Sequence, residues 1–387
     1  MTIDDKIISF HEKINFKLKP LLPSMLKHHG IKLGEIHNGG RNQVKVRAFH
    51  FNLLSAKRGT CTSALLFSSN IVWKEIQCDE FYFEKELKEF AIQCLYLLSI
   101  PLGECVVQRC GKKEITVIKI RSLKFGELTK KEKELLLLTL ENKNKSFENV
   151  TFGCDIELMV KNLDTSSFMN MDVLLKEGQI GLDDAIAVHK KKVIHPIVEV
   201  RSKPANNMTE LFDDVFLLYK KLRKATSNHD LTIITDAHPF GRFFLGGHIH
   251  FGNIPLTFQH VRLLDQFVTI PFSYVEQKPS FQRRRYYGRL GSVKENRFQG
   301  FEYRVLPSWF KLIPNSLPLL LWVEFLMKNP TKLEASNFQK KDLHSYYCCD
   351  YQTRSLTNWI NENEDYFIEK REKALFNNYV SFLKKLV

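Results

Sequence analysis

The chain has no C-x-x-C pair: its eight cysteines (Cys61, Cys78, Cys94, Cys105, Cys110, Cys154, Cys348 and Cys349) are scattered. That spacing argues against a zinc knuckle or a dithiol redox motif, and a chain of 387 residues has no need of a disulfide framework. Long apolar runs are also missing. The most apolar stretch, Leu317 to Met327, falls short of the roughly 20 residues a bilayer requires and contains Glu324, so it reads as a buried helix. The first residues, MTIDDKIISFHEK, are charged from the start, which argues against a secretory leader. A reducing cytoplasm with no membrane span is the expected setting. No internal repeat and no low-complexity tract is present, so disorder is not expected over most of the chain. No Lys/Arg stripe interleaves with aromatics at a recognisable spacing. The net charge of +14 therefore calls for an anionic partner without singling out nucleic acid, and lysine-rich solvated faces account for much of it.

What is present is core material. Hydrophobic residues make up 44% of the chain, with 30 phenylalanines, enough for two to three domains at this length. Residues 1–145 read as an N-terminal α/β domain. In order come a basic amphipathic start, an Asn38-Gly39-Gly40 turn, a strand over QVKVRAFHFNLL, a second apolar strand over 63–75, and a helix from Glu84 to Leu98. A hairpin follows, GECVVQRC and KEITVIKI turning at Gly111-Lys112-Lys113. A helix from Thr129 to Glu141 and the polar stretch Asn142 to Glu148 make the linker. Residues 150–328 carry the motifs. Beyond Pro330, residues 331–387 show two helical patterns and read as a helical cap, the second running through Ala374, Leu375, Tyr379, Phe382 and Leu383.

Four short stretches place two ionisable side chains two residues apart among apolar ones. They are Asp155 and Glu157 in GCDIELMV, Glu199 and Arg201 in IVEVRS, His248 and His250 in GGHIHFG, and Glu302 and Arg304 in GFEYRV. On a strand, residues i and i+2 share a face. Each stretch predicts a strand with one apolar and one charged face. A sheet face collecting those charges is costly unless something neutralises them. A divalent metal on a polyphosphate would do so, carboxylates and imidazole holding the metal and guanidinium the phosphate oxygens. Zinc fits less well, because the other candidates are acids and no cysteine sits at ligand spacing. Each pair alone has a plain alternative, a solvated strand face or histidines bonded within the sheet. The stretch from Arg283 to Trp309 adds a triple arginine, Tyr287-Gly288, Gly291, Arg297 and Gly300, and arginine's planar fork suits phosphate and carboxylate.

Taken in order, G-x-D-x-E at Gly153, a Gly-Asp element at Gly181-Leu182-Asp183-Asp184, E-x-R at Glu199, GGHIH-x-G at Gly246, YG-x-x-G at Tyr287 and G-x-EYR at Gly300 resemble the phage-type carboxylate–amine ligases, a branch of the glutamine synthetase-like superfamily. The resemblance implies an α+β fold, a curved antiparallel sheet backed by helices that holds ATP and Mg²⁺ or Mn²⁺ over one face. It implies Asp155, Glu157, Glu199, His248 and Glu302 as metal ligands, and His250, Arg285, Arg297 and Arg304 at the nucleotide phosphates. Arg304 would also steady the transferring phosphoryl group, and Asp183 would take the amine proton. It departs from the family in losing the glycine after Asp183 and in displacing the proline after Arg201 to Pro204. The implied reaction joins a carboxylate to an amine (small molecule, peptide or protein side chain) through an acyl phosphate, in a chain that can form a homo-oligomer. A metal-dependent phosphoesterase and a non-catalytic basic binding protein are the other readings. A separate resemblance, of the helix and hairpin before residue 121 to the end of an ATP-grasp domain, implies no site, because VIKIRSL lacks the Glu and Asn that hold metal there.

Overall fold

The computed structural model describes residues 27, 31–34, 43–61, 71–76, 82–110, 114–143, 149–162, 178–189, 192–227, 231–276, 281–330, 340–348 and 355–386. The amphipathic start, the Asn38-Gly39-Gly40 turn, most of 63–75, the Gly111-Lys112-Lys113 turn and most of the 142–148 linker lie outside those residues. Contacts divide the chain into two compact units, residues 1–146 with 256–258, and residues 147–255 with 259–387. The described elements are mixed α and β, and no described helix is long and apolar enough to cross a membrane.

The first unit is built on β1 (Lys32–Leu33), β2 (Gln43–Phe49), β3 (Asn52–Cys61), β4 (Ile71–Glu75), β5 (Leu102–Cys110) and β6 (Glu114–Ser122), in the order β1-β6-β5-β2-β3-β4. The segment that alternates as one strand over 43–54 is two. His50 takes a positive φ of 53°, the backbone folds back there, and its N–H donates to the carbonyl of Pro101 at 2.6 Å. Alternation of side chains continues through such a tight turn, so the pattern alone does not expose it. The β5–β6 hairpin is antiparallel as expected, and the helix Tyr82–Leu97 buries Leu87, Ala91, Cys94 and Leu95. The helix Lys130–Lys143 opens on a capping box. Glu132 N–H donates to Thr129 Oγ1 at 3.3 Å, and Thr129 N–H donates to Glu132 Oε2 at 2.8 Å. Arg47, Glu104 and Arg121 face one another across β2, β5 and β6, and Arg47 and Arg121 each pair with Glu104, at 2.9 and 3.0 Å. These are structural ion pairs.

The second unit carries β7 (Thr151–Asn162), β8 (Ile180–Leu182), a ribbon of β9 (Ala187–His189) and β10 (Lys192–Ile194), then β11 (Ile197–Arg201), β12 (Leu231–Ile234), β13 (Gly247–Gly252), β14 (Val293–Asn296) and β15 (Gly300–Tyr303). Apart from the ribbon they form one antiparallel sheet, β14-β15-β13-β7-β11-β8, with β12 also paired to β7. Four of its strands are the four stretches singled out by their i, i+2 charges. Along β7, Phe152, Cys154, Ile156 and Leu158 are buried, and Gly153, Asp155 and Glu157 point the other way. Val198, Val200, Ile249, Phe251, Phe301 and Tyr303 continue the apolar face.

Helices cover that apolar face. Met208–Ser227 buries Leu211, Val215, Leu218 and Leu222, and the apolar run emerges as the buried helix Leu317–Lys328. Its lone acid has a use: Glu324 Oε2 accepts from the backbone N–H of Met208 at 3.0 Å, satisfying a free donor at the start of the other helix. Lys340–Cys348, Leu356–Asn363 and Lys370–Lys384 complete the unit. Tyr303 points into the core between Glu302 and Arg304, its hydroxyl donating to the buried Asp265 Oδ1 at 2.5 Å and meeting Thr269 Oγ1 at 2.6 Å. Tyr303→Phe is expected to cost about 1–3 kcal/mol in urea unfolding, because both partners are buried polar groups. A loss below about 0.5 kcal/mol would show that another donor replaces the phenol.

Candidate active site

Strand register collects the charged side chains. Asp155 lies opposite His248 on one side and Arg201 on the other, Glu157 opposite Glu199, and His250 opposite Glu302. All therefore share one face. Close approach depends on glycine at Gly247, where a Cβ would come within 2.2 Å of the Trp309 ring, and at Gly300, where it would come within 1.9 Å of the Phe251 carbonyl oxygen. Gly247, at the start of the histidine strand, and Gly300, at the start of β15, thus serve the protein's own packing.

Two clusters of potential ligand atoms result, Asp155 with His248 and Glu302, and Glu157 with Asp183 and Glu199, the atoms of each within 4.8 Å of one another. His248 links them. Its Nδ1 lies 3.0 Å from Asp155 Oδ1 and 3.2 Å from Glu302 Oε1, and its Nε2 lies 3.9 Å from Glu157 Oε1. His250 Nε2 lies 3.2 Å from Asp155 Oδ2. Arg304, just past β15, forms an ion pair with Glu302, its Nε 3.0 Å from Oε1. Arg201 pairs with Glu199 and donates to the Leu182 carbonyl at 2.9 Å. Asp183 Oδ1 accepts from Ala185 N–H at 2.8 Å in a tight local turn, and that turn follows β8, which pairs with β11.

Burial is the main force on the acids' protonation. It raises Asp155, but the nearby imidazoles of His248 and His250 outweigh it and hold that carboxyl well below the usual range. Burial raises Glu157, partly offset by His248 and by the Gly246 N–H, which donates to Oε2 at 2.6 Å. Glu199 is pushed up to about 8 by burial and then by the negative charge of Asp155. For His250, burial lowers the pKa, but the Asp155 carboxylate raises it further. Burial therefore holds Glu157 and Glu199 toward their neutral forms.

A divalent cation fits this donor set. Asp155 Oδ1 is buried and has no hydrogen-bond partner, although His248 Nδ1 is near. The ligands on offer are carboxylate oxygens and one imidazole, the set that suits Mg²⁺ or Mn²⁺. The nearest cysteine, Cys154, is buried on the opposite face, where burial pushes its thiol pKa up.

Beside the second cluster opens a cavity of about 410 Å³, whose acidic end is formed by Glu157, Asp183 and His248. Arg304 and Arg283 line it too, with Arg242, Phe243, Phe244 and Tyr287. Every expected metal ligand is thus brought to one face, with His250 and Arg304 beside them. Asp183, expected to take the amine proton, lies beside Glu157 and Glu199 in the second cluster. Arg285 and Arg297 do not reach this cavity: their guanidinium groups lie over the rings of Phe281 and Phe298. Of the triple arginine, Arg283 and Arg284 are buried. Arg283 donates to the carbonyls of Val305 and Leu306, at 2.7 Å each, and so fixes the backbone that leaves β15.

A model of the phage phiEco32-like COOH.NH2 ligases of type 2 matches residues 152–386, about three-fifths of the chain. The chain belongs to this family. The match runs from β7 through the C-terminal helices, so every residue of both acid clusters lies inside it. No curated protein matches. Among solved structures, "Apo GmaS without ligand" is 11% identical, with 94% of each chain covered and a TM-score of 0.38. A Plasmodium falciparum glutamine synthetase is 8% identical, covering 92% of this chain and 96% of that one, with a TM-score of 0.34. A bifunctional glutathione synthetase from Pasteurella multocida is 8% identical over 64% of this chain, with a TM-score of 0.36, and the ligase chain spans 48% of its length. These scores are too low to carry an argument, so the family assignment rests on the match over 152–386.

Proposed function

We propose that this family member is an ATP-dependent carboxylate–amine ligase working on a glutamine synthetase-like sheet, through an acyl phosphate. The observation that carries the reading is the pair of acid clusters joined by His248, with Arg304 at the edge of an adjoining cavity. Divalent cations bound at the two clusters would offset the phosphate charge of ATP and polarise the phosphoryl group in transfer. The protein's own part is positioning. Arg304, whose Nε lies 3.0 Å from Glu302 Oε1, lines the cavity, where its guanidinium would meet a carboxylate oxygen and the transferring phosphoryl group. His250, raised in pKa by Asp155, donates to phosphate oxygen. Asp183, at the cavity wall, accepts the proton the amine must shed. Arg285 and Arg297, outside the cavity, are left to the outer end of the nucleotide. A homo-oligomer in the cytoplasm belongs to the same proposal.

Calorimetry with ATP tests it. Binding in the micromolar range is expected only when Mg²⁺ is present, and His248→Ala should weaken it at least about tenfold, because it removes a ligand of the first cluster that also stands 3.9 Å from Glu157 in the second. ATP should be consumed only when a carboxylate and an amine are both supplied. Binding indifferent to Mg²⁺ and to His248→Ala would sink the two-cluster site.

A further inference from the structure

The cavity is larger than a ligase of small polar substrates requires, and one side of it is apolar. At about 410 Å³ it is in the range of pockets that hold drug-sized ligands, roughly 300–1,000 Å³. Ammonia needs little more than the roughly 30 Å³ of a water molecule. Away from the acids its wall is Ala185, Ile186, Ile197, Phe243, Phe244 and Tyr287. The rings form an ordered shelf. Phe244 stacks on His238, with centroids 4.4 Å apart and planes 12° apart, and meets Tyr287 at 5.2 Å and Tyr286 at 6.2 Å. Tyr287 is 56% exposed and Ile186 64%, so the shelf keeps ring surface open to a ligand. Two cations bracket it, Arg304 at the acid end and the exposed Arg242, whose guanidinium lies over the Phe243 ring at 5.3 Å.

We propose that this cavity is a substrate subsite for an aryl-bearing carboxylate, its ring stacked on Phe244 and Tyr287 and its carboxylate drawn to Arg304. The assignment of the reacting end rests on the ligase reading; the ring shelf does not. A short polar acid such as glutamate would leave the shelf wet, whereas a flat ring covers it and gains stacking beyond simple burial. A nucleotide base is the competing occupant. Against it, Asp155, His250 and Glu302, the phosphate side of the proposed site, do not line this cavity.

The test uses the full chain with Mg²⁺ and no ATP. Calorimetry compares 3-phenylpropionate with butyrate and with 3-cyclohexylpropionate, which matches it in bulk but is not flat. About tenfold tighter binding of 3-phenylpropionate than of either is expected. That ratio should fall toward unity in Phe244→Ala and in Tyr287→Ala, the latter at an exposed position where folding is not at risk. Equal affinities for the three acids, or a ratio unchanged in both variants, overturns the proposal. Adenosine binding that is tighter than that of 3-phenylpropionate and lost in Tyr287→Ala also overturns it, giving the shelf to the base. Hydroxamate formation from ATP, hydroxylamine and the same acids reads the ligase separately. Its absence while the ring preference persists would remove the ligase reading and leave the subsite standing.

Discussion

Glu302→Gln is expected to reduce ATP turnover by about 10²–10³-fold while leaving thermal stability unchanged or slightly higher. Glu302 reaches His248 at 3.2 Å and Arg304 at 3.0 Å, and with Asp155 it makes a three-ligand cluster. The amide keeps the volume and one carbonyl oxygen, so β15 and its pairing to β13 and β14 should persist. It removes one negative charge, which lowers affinity for a divalent cation and releases the hold on Arg304. In the metal-free protein the same change relieves crowding with Asp155, and Arg304, whose side chain is 37% exposed, keeps water as a partner, so little stability is at stake. The two readouts therefore move apart. A structural ion pair would show the opposite pattern, with turnover near wild type and melting clearly lowered. That outcome would remove Glu302 from the metal site.

The active-site strands were legible in the sequence because a strand writes its face into every second residue. Asp155 with Glu157, Glu199 with Arg201, and His248 with His250 each announce a charged face locally. Their neighbours in space were not legible. That Glu157 lies opposite Glu199, and His250 opposite Glu302, depends on pairing strands far apart in the chain, and no local pattern encodes it. The resemblance to the ligase family supplied the common face. Asp183 escaped its cluster because it sits in a turn after a three-residue strand, too short to show periodicity. The aromatic shelf escaped too. Only tertiary packing brings Tyr287 beside Phe244. The triple arginine shows the reverse error. Residue type suggested phosphate binding, whereas burial of Arg283 and Arg284 commits both to backbone carbonyls.

Trp322→Ala should destabilise the second unit by about 3–5 kcal/mol, read as a drop in the urea midpoint. Trp322 is fully buried, stacks on Phe325 and Tyr379, and meets Phe367 and Phe376 edge-on. Its indole N–H also donates to the Phe267 carbonyl at 3.0 Å, and the Tyr379 hydroxyl donates to the Val268 carbonyl at 3.1 Å. Those carbonyls belong to a π-helical turn, Asp265–Thr269, where widening of the helix turns backbone groups out of the regular ladder. The two aromatic donors satisfy them. The same turn presents Asp265 and Thr269 to Tyr303, the residue between Glu302 and Arg304. The C-terminal helices therefore support the active-site strand through one chain of buried polar contacts. Trp322→Phe separates packing from hydrogen bonding. It keeps most of the ring surface and loses the N–H, so about 1–2 kcal/mol is expected. Equal losses in the two variants would mean that the indole N–H, not its packing, holds the turn. A loss under about 1 kcal/mol in the alanine variant would show that the cluster closes over the gap and that the helices do not support the strand this way.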